Sequence, residues 1–253
     1  MPEGAVYVYG VVPASEDPEG EAVGVGGSKV RRVKEASLAA VISDVPGDSI
    51  NAPREVRNHW RVLEKIGESA TILPTRFGTV MESESAVRER LLGRNGERLK
   101  DLLRELAGRT QLNVTGRYEE EGLLREVVSR SPEVAALRER VRRVPAEAAY
   151  FDRIRLGELV AGEIARRREE DSAFALEHLK GLAVSSRVEE PRTADTAFNL
   201  SFLVERRRVD EFSRAVTVLA EQVGERMQIR YVGPLPPYSF ADADLTERSE
   251  AWA

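Results

Sequence analysis

The sequence predicts an α+β protein with two domains. Strand-like apolar runs and amphipathic helical patterns are mixed along the chain, as is typical of folds that combine helices and sheets. The chain has 253 residues, 42% hydrophobic and 32% charged, which is enough for one large or two ordinary cores. We expect an N-terminal ferredoxin-like α+β domain with insertions over residues 1–118 and a C-terminal α+β domain with long charged helices over residues 119–240. Residues 241–253 are polar, and we expect them to be flexible.

The N-terminal domain begins with a predicted interior strand at residues 6–12, VYVYGVV, which is apolar on both faces. A loop rich in Gly, Pro and acidic residues follows, and two short strands are predicted at 29–33 and 38–43. An amphipathic helix is predicted over 53–69, because Pro53 suits a first turn and apolar residues recur at helical spacing, namely Val56, Trp60, Leu63 and Ile66.

The rest of this domain is predicted from similar signals. A strand at 71–73 precedes Pro74, and helices are expected around 84–92 and 95–107. The second of these helices carries an i, i+3, i+4, i+7 leucine stripe and ends at Gly108. Alternation of Leu112, Val114 and Tyr118 predicts the strand that closes the domain.

The C-terminal domain is predicted to start with charged helices from Glu119 to about Lys180, with one long helix over 146–170. Alternating apolar residues then predict strands over 182–188 and 198–204. A helix over 209–223 and a last strand over 227–231 complete the strand–strand–helix–strand pattern.

An extended, Pro-rich segment at residues 233–240, GPLPPYSF, ends the predicted fold. Its three prolines, Pro234, Pro236 and Pro237, fix φ and remove backbone donors, so neither a helix nor a central strand can continue there. PLPP also satisfies the P-x-x-P pattern of portable docking peptides. We favour packing on the protein's own surface, with Tyr238 and Phe240 as anchors.

Composition excludes several function classes. The chain has no cysteine, so disulfide and thiolate chemistry are excluded, and a net charge of −5 argues against general nucleic-acid binding. Apolar stretches are too short to span a membrane, and the start of the chain does not have the pattern of a signal peptide. We therefore expect a soluble intracellular protein.

Catalytic and metal-binding motifs are missing from the sequence. Only two histidines occur, His59 and His178, and neither has a second His at i+3 or i+4. We interpret His59 as a surface or boundary residue with Glu55 as its partner. The glycine cluster at 23–28 lacks the ending of a phosphate loop and is interpreted as a flexible surface loop. We expect no catalytic residue, no metal, no cofactor and no enzymatic activity.

The segment ILPTRFGT at residues 72–79 is a candidate binding motif. Phe77 is expected in the core, and Gly78 is expected to have a backbone conformation that other residues rarely adopt. Arg76 has two interpretations, a buried and paired structural arginine or an exposed contact point. We prefer the first, because unpaired burial of a charge is expensive.

Arginine clusters at 138–143 and 166–168 are interleaved with glutamates, and we interpret them as charged helical surface.

Three motifs, YVYG near the start, LP-x-RFG in the centre and GP-x-PPYSF at the end, occur in an order that resembles the GvpF/GvpL family of gas-vesicle proteins. The resemblance spans residues 5–240. Leu235 stands where a tryptophan is expected in many relatives. The resemblance implies a minor, shell-associated protein of the gas vesicle and cytoplasm. Such a protein would bind the main gas-vesicle structural protein, GvpA, as well as other gas-vesicle accessory proteins, and would prevent the aggregation of GvpA and support vesicle nucleation and assembly.

Three candidate partner surfaces follow. They are a groove beside Arg76, Phe77 and Gly78, an edge strand near 198–204 that carries Phe198, Leu200 and Phe202, and the Pro-rich segment with Pro234, Pro236, Pro237, Tyr238 and Phe240. An alternative function is a small-molecule-binding regulatory module with a ligand site between the two α+β units. A third is an enzyme that uses carboxylates and arginines alone.

Overall fold

The computed structural model describes residues 4–16, 22–45, 52–145, 147–191 and 193–241. These residues divide into two compact units. The first unit contains the described residues up to Gln111 together with the segment from Pro234, and the second unit is Leu112–Gly233. Of the predicted tail at 241–253, Ala241 is buried and residues 242–253 lie outside the described residues.

The first unit is built on an antiparallel sheet. Its elements are β1 (Val6–Pro13), β2 (Arg31–Glu35), β3 (Leu38–Asp44), α1 (Pro53–Ser69), β4 (Leu73–Pro74), β5 (Val80–Met81), α2 (Glu84–Ala86), which continues as a π-helical segment at Val87–Gly93, and α3 (Gly96–Leu106). The strand order is β2-β3-β1-β4, and β5 also pairs with β1. Since β1 is buried along nearly its whole length, it is the interior strand that its sequence predicts.

The second unit has its own four-stranded sheet. Its elements are β6 (Arg109–Tyr118), α4 (Glu120–Arg130), α5 (Pro132–Arg143), α6 (Tyr150–Lys180), β7 (Ser185–Glu189), β8 (Thr196–Glu205), α7 (Val209–Val223) and β9 (Met227–Leu235). The strand order is β7-β8-β6-β9. Strand β6 begins in the first unit and continues into the second, and strand β9 begins in the second unit and ends in the first.

Both sheets follow one topological scheme, in which the strands of each unit lie in the order second, third, first, fourth. The complete β-α-β-β-α-β succession expected of a ferredoxin-like unit is found in the second unit, whereas the prediction placed it in the first. In the first unit, the described part of the connection from β1 to β2 contains a 3₁₀ turn at Val25–Gly27 and an isolated bridge between Val23 and Lys29, but no α-helix.

The observed units differ from the predicted division at residues 118 and 240 because of two segments. Strand β6 was assigned to the first domain, yet its buried residues Leu112, Val114 and Tyr118 belong to the core of the second unit. The segment after Gly233 was assigned to the second domain, yet Tyr238 packs in the core of the first. The strand β9 also continues to Leu235, through Pro234, which an edge strand tolerates.

Each unit has a separate hydrophobic core. In the first unit, β1, β3 and α1 bury a cluster that includes Tyr7, Tyr9, Val41, Leu63 and Ile72. In the second, β6 and β8 pack against α6 and α7 through Leu112, Phe198, Leu200, Phe202, Phe212 and Leu219. No described helix is long and apolar enough to cross a membrane.

Candidate functional site

The three sequence motifs meet around His59, a buried residue of α1. Tyr7 comes from the YVYG strand, Phe77 from the central motif and Tyr238 from the Pro-rich segment. Their ring centroids lie 5.7, 5.6 and 6.4 Å from that of His59. Tyr9 and Trp60 extend this group, which we call the aromatic cluster (Tyr7, Tyr9, His59, Trp60, Phe77 and Tyr238).

The hydrogen bonds within the aromatic cluster show which hydroxyl and ring nitrogen atoms carry the protons. Gly78 N–H donates to the Tyr7 hydroxyl over 2.9 Å, and the Tyr238 hydroxyl donates to the Thr75 carbonyl over 2.5 Å. Because the Tyr7 hydroxyl accepts from Gly78, it can donate its own proton to His59 Nδ1, which is 3.0 Å away. His59 Nε2–H then points to the Tyr238 oxygen at 3.4 Å. This pattern fits a neutral imidazole protonated on Nε2.

Burial keeps these groups uncharged. Desolvation lowers the pKa of His59 from 6.5 to about 4, because the charged imidazolium is disfavoured away from water. Burial likewise raises the pKa of Tyr7 and of Tyr238 above the ordinary tyrosine value. The aromatic cluster is thus suited to holding the three motifs together.

The predicted contact between His59 and Glu55 is wrong. Glu55 Oε2 accepts the Gly26 N–H over 2.7 Å and the Asn58 side chain over 3.1 Å, while Oε1 accepts from Arg54. The Gly26 hydrogen bond is the main reason that the pKa of Glu55 is lowered. Since β1 and α1 bury His59 among aromatic rings, its partners are tyrosines from distant parts of the chain.

The glycine cluster at 23–28 is anchored to the first unit. Val25 is buried, and its N–H donates to the Tyr9 hydroxyl over 2.7 Å. Together with the bond from Gly26 to Glu55, this contact holds the turn against β1 and α1. The predicted surface position is thus correct for Val23, Gly26 and Gly27, which are exposed, and wrong for the buried Val25.

The glycine of the YVYG motif, Gly10, lies where the backbone of another strand approaches closely. A Cβ at Gly10 would lie 2.6 Å from the Leu73 carbonyl oxygen, closer than real Cβ atoms approach a backbone atom. Strand β4 can pair with β1 at this point only because Gly10 has no side chain. The first and second motifs are thus coupled by backbone contact as well as by the aromatic cluster.

The segment around Arg76 forms an exposed turn between β4 and β5. Arg76 is exposed, so the preferred interpretation as a buried arginine is wrong. Phe77 is half-buried and lies against the aromatic cluster. Gly78 has a φ of 87°, a conformation that L side chains rarely adopt, and this confirms the predicted backbone conformation.

The Pro-rich segment lies against the first unit. Pro234 is exposed, Pro236 and Pro237 are buried, and Tyr238 and Phe240 are half-buried. Tyr238 packs 4.9 Å from Trp60, measured between ring centroids, and Ser239 N–H donates to Gln111 Oε1 over 2.8 Å. Burial of two of the prolines leaves PLPP unsuited to act as a portable docking peptide.

Strand β8 is not a sheet edge, and this part of the prediction is wrong. It lies between β7 and β6, and its side chains Phe198, Leu200 and Phe202 are buried in the core of the second unit. The sequence run is apolar because both faces and both edges of the strand are covered. On this side the sheet ends at β7, where Val188 is 61% exposed, and Val184, directly before the strand, is 48% exposed.

A buried carboxylate on α6 was missed by sequence reasoning. Asp171 accepts a hydrogen bond from the Tyr118 hydroxyl over 2.8 Å and a bidentate pair from Arg226 at 2.8 and 2.9 Å. These contacts fix α6 to β6 and to the turn directly before β9. One acidic residue among many in a charged helix carries no local signal that marks it as buried.

The candidate partner surfaces are therefore not one site. Arg76, Phe77 and Gly78 lie beside Tyr238 in the first unit, whereas Phe198, Leu200 and Phe202 are core residues of the second. Among the described residues, no group of three or more His, Asp or Glu side chains is placed to hold a metal ion.

Comparison with known proteins places the chain among gas-vesicle proteins. A family model described as gas vesicle synthesis protein GvpL/GvpF matches residues 5–242. Gas vesicle protein F of Streptomyces sp. (strain CB03234) is 33% identical over 241 residues, which cover 94% of this chain and 100% of that protein. Gas vesicle protein F of Microcystis aeruginosa (strain PCC 7806) is 25% identical over 93% of this chain and 97% of its own length.

Solved structures show the same fold. The crystal structure of GvpF from Anabaena sp. PCC7120 matches with a TM-score of 0.82 at 24% identity, over 95% of this chain and 99% of that one. GvpF from Microcystis aeruginosa matches with a TM-score of 0.78, also at 24% identity, over 95% of this chain and 100% of that one. Sequence motifs, their convergence on His59 and the family match over nearly the whole chain lead to one conclusion: the chain belongs to the GvpL/GvpF family of gas vesicle synthesis proteins.

Proposed function

We propose that this chain is a non-enzymatic accessory protein of the gas vesicle, acting in the cytoplasm and at the vesicle. It binds the main gas-vesicle structural protein, GvpA, prevents its aggregation and supports nucleation and assembly of the vesicle. Membership of the gas-vesicle family supports the setting. The observation that carries the binding role is the outer edge of β7.

The edge of β7 has the features of a surface that accepts another strand. This strand is last in its sheet and pairs on one side with β8, from Ser185 opposite Leu203 to Glu189 opposite Asn199. The backbone groups on its other side face away from the sheet, and an added strand can use them. Val184 and Val188 are exposed beside this edge and offer apolar contact.

An open sheet edge suits a partner that is apolar and pairs through strands. A vesicle wall that excludes water must be made of strongly apolar subunits, and we expect these to pair through strands. Such subunits aggregate when their edges and apolar faces are uncovered. A folded protein with an open sheet edge can cover them one at a time and release them to the growing wall.

A pull-down with purified GvpA tests the proposal. The wild-type chain is expected to retain GvpA, and a V184K/V188K variant is expected to lose most of it, because lysines beside the edge oppose strand addition. V218K on α7 is the matched control, since Val218 is 43% exposed in the same unit. Failure of the wild-type chain to retain GvpA would contradict the proposed function. Equal retention by V184K/V188K would contradict only the role of β7.

A further inference from the structure

The first turn of α6 exposes three apolar side chains on one side of the helix. Tyr150, Phe151 and Ile154 are 60%, 81% and 46% exposed. The rings of Tyr150 and Phe151 meet edge to face with centroids 5.3 Å apart, and Ile154 lies one turn later. We call these three residues the α6 patch. Large aromatic side chains with this much exposure are typical of interaction sites rather than of ordinary surface.

Ion pairs hold the helix that carries the α6 patch against its neighbour. Arg140 of α5 makes a bidentate contact with Asp152, and Arg155 reaches Glu133 of α5 over 2.9 Å. Each exposed pair contributes little to stability. Their effect is to fix the orientation of the first turn of α6, so that less conformational freedom is lost when a partner binds.

The surroundings of the α6 patch are positively charged, in contrast to the whole chain. Residues 138–155 contain six arginines and three carboxylates, whereas the chain as a whole has a net charge of −5. Arg138, Arg142, Arg143 and Arg153 are all exposed, and Arg142 and Arg143 share one carboxylate, Glu139. The start of α6 has no side-chain cap, so its free N–H groups add partial positive charge beside the aromatic rings.

We propose that the α6 patch is a docking site for an amphipathic helix of another protein, whose apolar stripe is bordered by Asp and Glu. The aromatic side chains anchor the stripe, and the surrounding arginines pair with the carboxylates. This site lies on a helix and not on the strand edge of the proposed function. Its partner is therefore a second protein, distinct from the one that binds at β7. A symmetric contact with a second copy is disfavoured, because it would bring two arginine clusters together.

Lipid is a poorer match than protein for this surface. The apolar area covers a single helical turn, while membrane-surface helices bury a long apolar face. Carboxylates also lie among the arginines, at Glu139 and Asp152, and would repel anionic headgroups. A partner helix can place its acidic residues to avoid these carboxylates, which a lipid surface cannot do.

A peptide titration with the full chain tests the site. The probe is a synthetic helix with leucines at i, i+3, i+4 and i+7 bordered by glutamates, and the comparison peptide has lysine in place of each glutamate. Wild-type protein is expected to bind the glutamate peptide at least about tenfold more tightly than the lysine peptide. F151A/I154A and, separately, R142E/R143E are each expected to weaken binding of the glutamate peptide about tenfold or more.

Controls separate docking from other causes. V218A on α7 removes a side chain as exposed as Ile154 and is expected to leave peptide affinity unchanged. Circular dichroism is expected to show the same folded content in all variants, since every substituted side chain is exposed. Equal affinity for both peptides, or an unchanged affinity in F151A/I154A, would overturn the proposal. So would binding to phosphatidylserine vesicles without peptide binding, or a dimer in light scattering that F151A/I154A abolishes.

Discussion

Buried between two tyrosine hydroxyls, His59 stabilises the first unit only in its neutral form. Its pKa of about 4 lies below the unfolded value of 6.5, so the unfolded chain binds the proton more tightly in that interval. Stability from this residue is therefore fully present above pH 6.5 and is lost as the pH falls toward 4. The loss is on the order of 3 kcal/mol.

Urea unfolding tests this linkage by comparing the wild-type chain with His59→Gln between pH 6.5 and pH 4. Glutamine can still donate and accept hydrogen bonds but does not titrate in this range. We expect the free energy of unfolding of the wild-type chain to fall more steeply with decreasing pH than that of the variant. Parallel curves would show that His59 is not held neutral by burial.

Single residues are the scale at which sequence reasoning succeeds least. The positive φ of Gly78 was predicted, because glycine adopts backbone conformations that other residues rarely do. The environments of His59 and Arg76 were not, since burial depends on partners far away in sequence. Tyr7 and Tyr238, for example, reach His59 from opposite ends of the chain.

The Pro-rich segment is an element whose position depends on one anchor, Tyr238. The ring packs on Trp60, and the hydroxyl donates to the Thr75 carbonyl. With its prolines already restricted in conformation, the segment loses little entropy on docking. We therefore expect the anchor to contribute measurably to the stability of the first unit.

Truncation of this anchor is expected to destabilise the chain in two steps. Tyr238→Phe removes the hydrogen bond to the Thr75 carbonyl and the longer one from His59 Nε2, and is expected to lower the free energy of unfolding by about 1–2 kcal/mol. Tyr238→Ala also removes the half-buried ring and is expected to cost about 2 kcal/mol or more. Tyr150→Ala, at a ring that is mostly exposed, is the control and should stay within about 0.5 kcal/mol of wild type. Urea unfolding of the three variants measures these differences; equal values for Tyr238→Ala and Tyr150→Ala would contradict docking of the segment.

Elements were predicted well where local periodicity defines them. The predicted helix at 53–69 agrees with α1, Pro53–Ser69, because both its first-turn proline and its apolar spacing are local signals. The sheet to which a strand belongs is not a local property. Strand β6 shows the same alternation in either sheet, and only the fold assigns it to the second. The same holds for β8, whose apolar run indicated a strand without showing whether it lies at an edge.

At the scale of the whole molecule, the two units share one strand order, and the second unit leaves a sheet edge, β7, and the first turn of α6 exposed. The family resemblance indicated the gas-vesicle setting from motifs that converge on His59, a residue in the interior of the first unit. Those motifs stabilise the fold, and the proposed partner surfaces lie elsewhere, on β7 and α6. Motif recognition therefore identified the family while leaving its contact surfaces to be found from exposure and topology.

The proposed covering of apolar edges of the vesicle wall protein is tested by light scattering of GvpA as it is diluted from denaturant. The wild-type chain is expected to suppress the rise in scattering in proportion to its concentration, and V218K is expected to act like wild type. V184K/V188K is expected to leave most of the rise in place. A rise in scattering that the wild-type chain does not change at any concentration would contradict the claim.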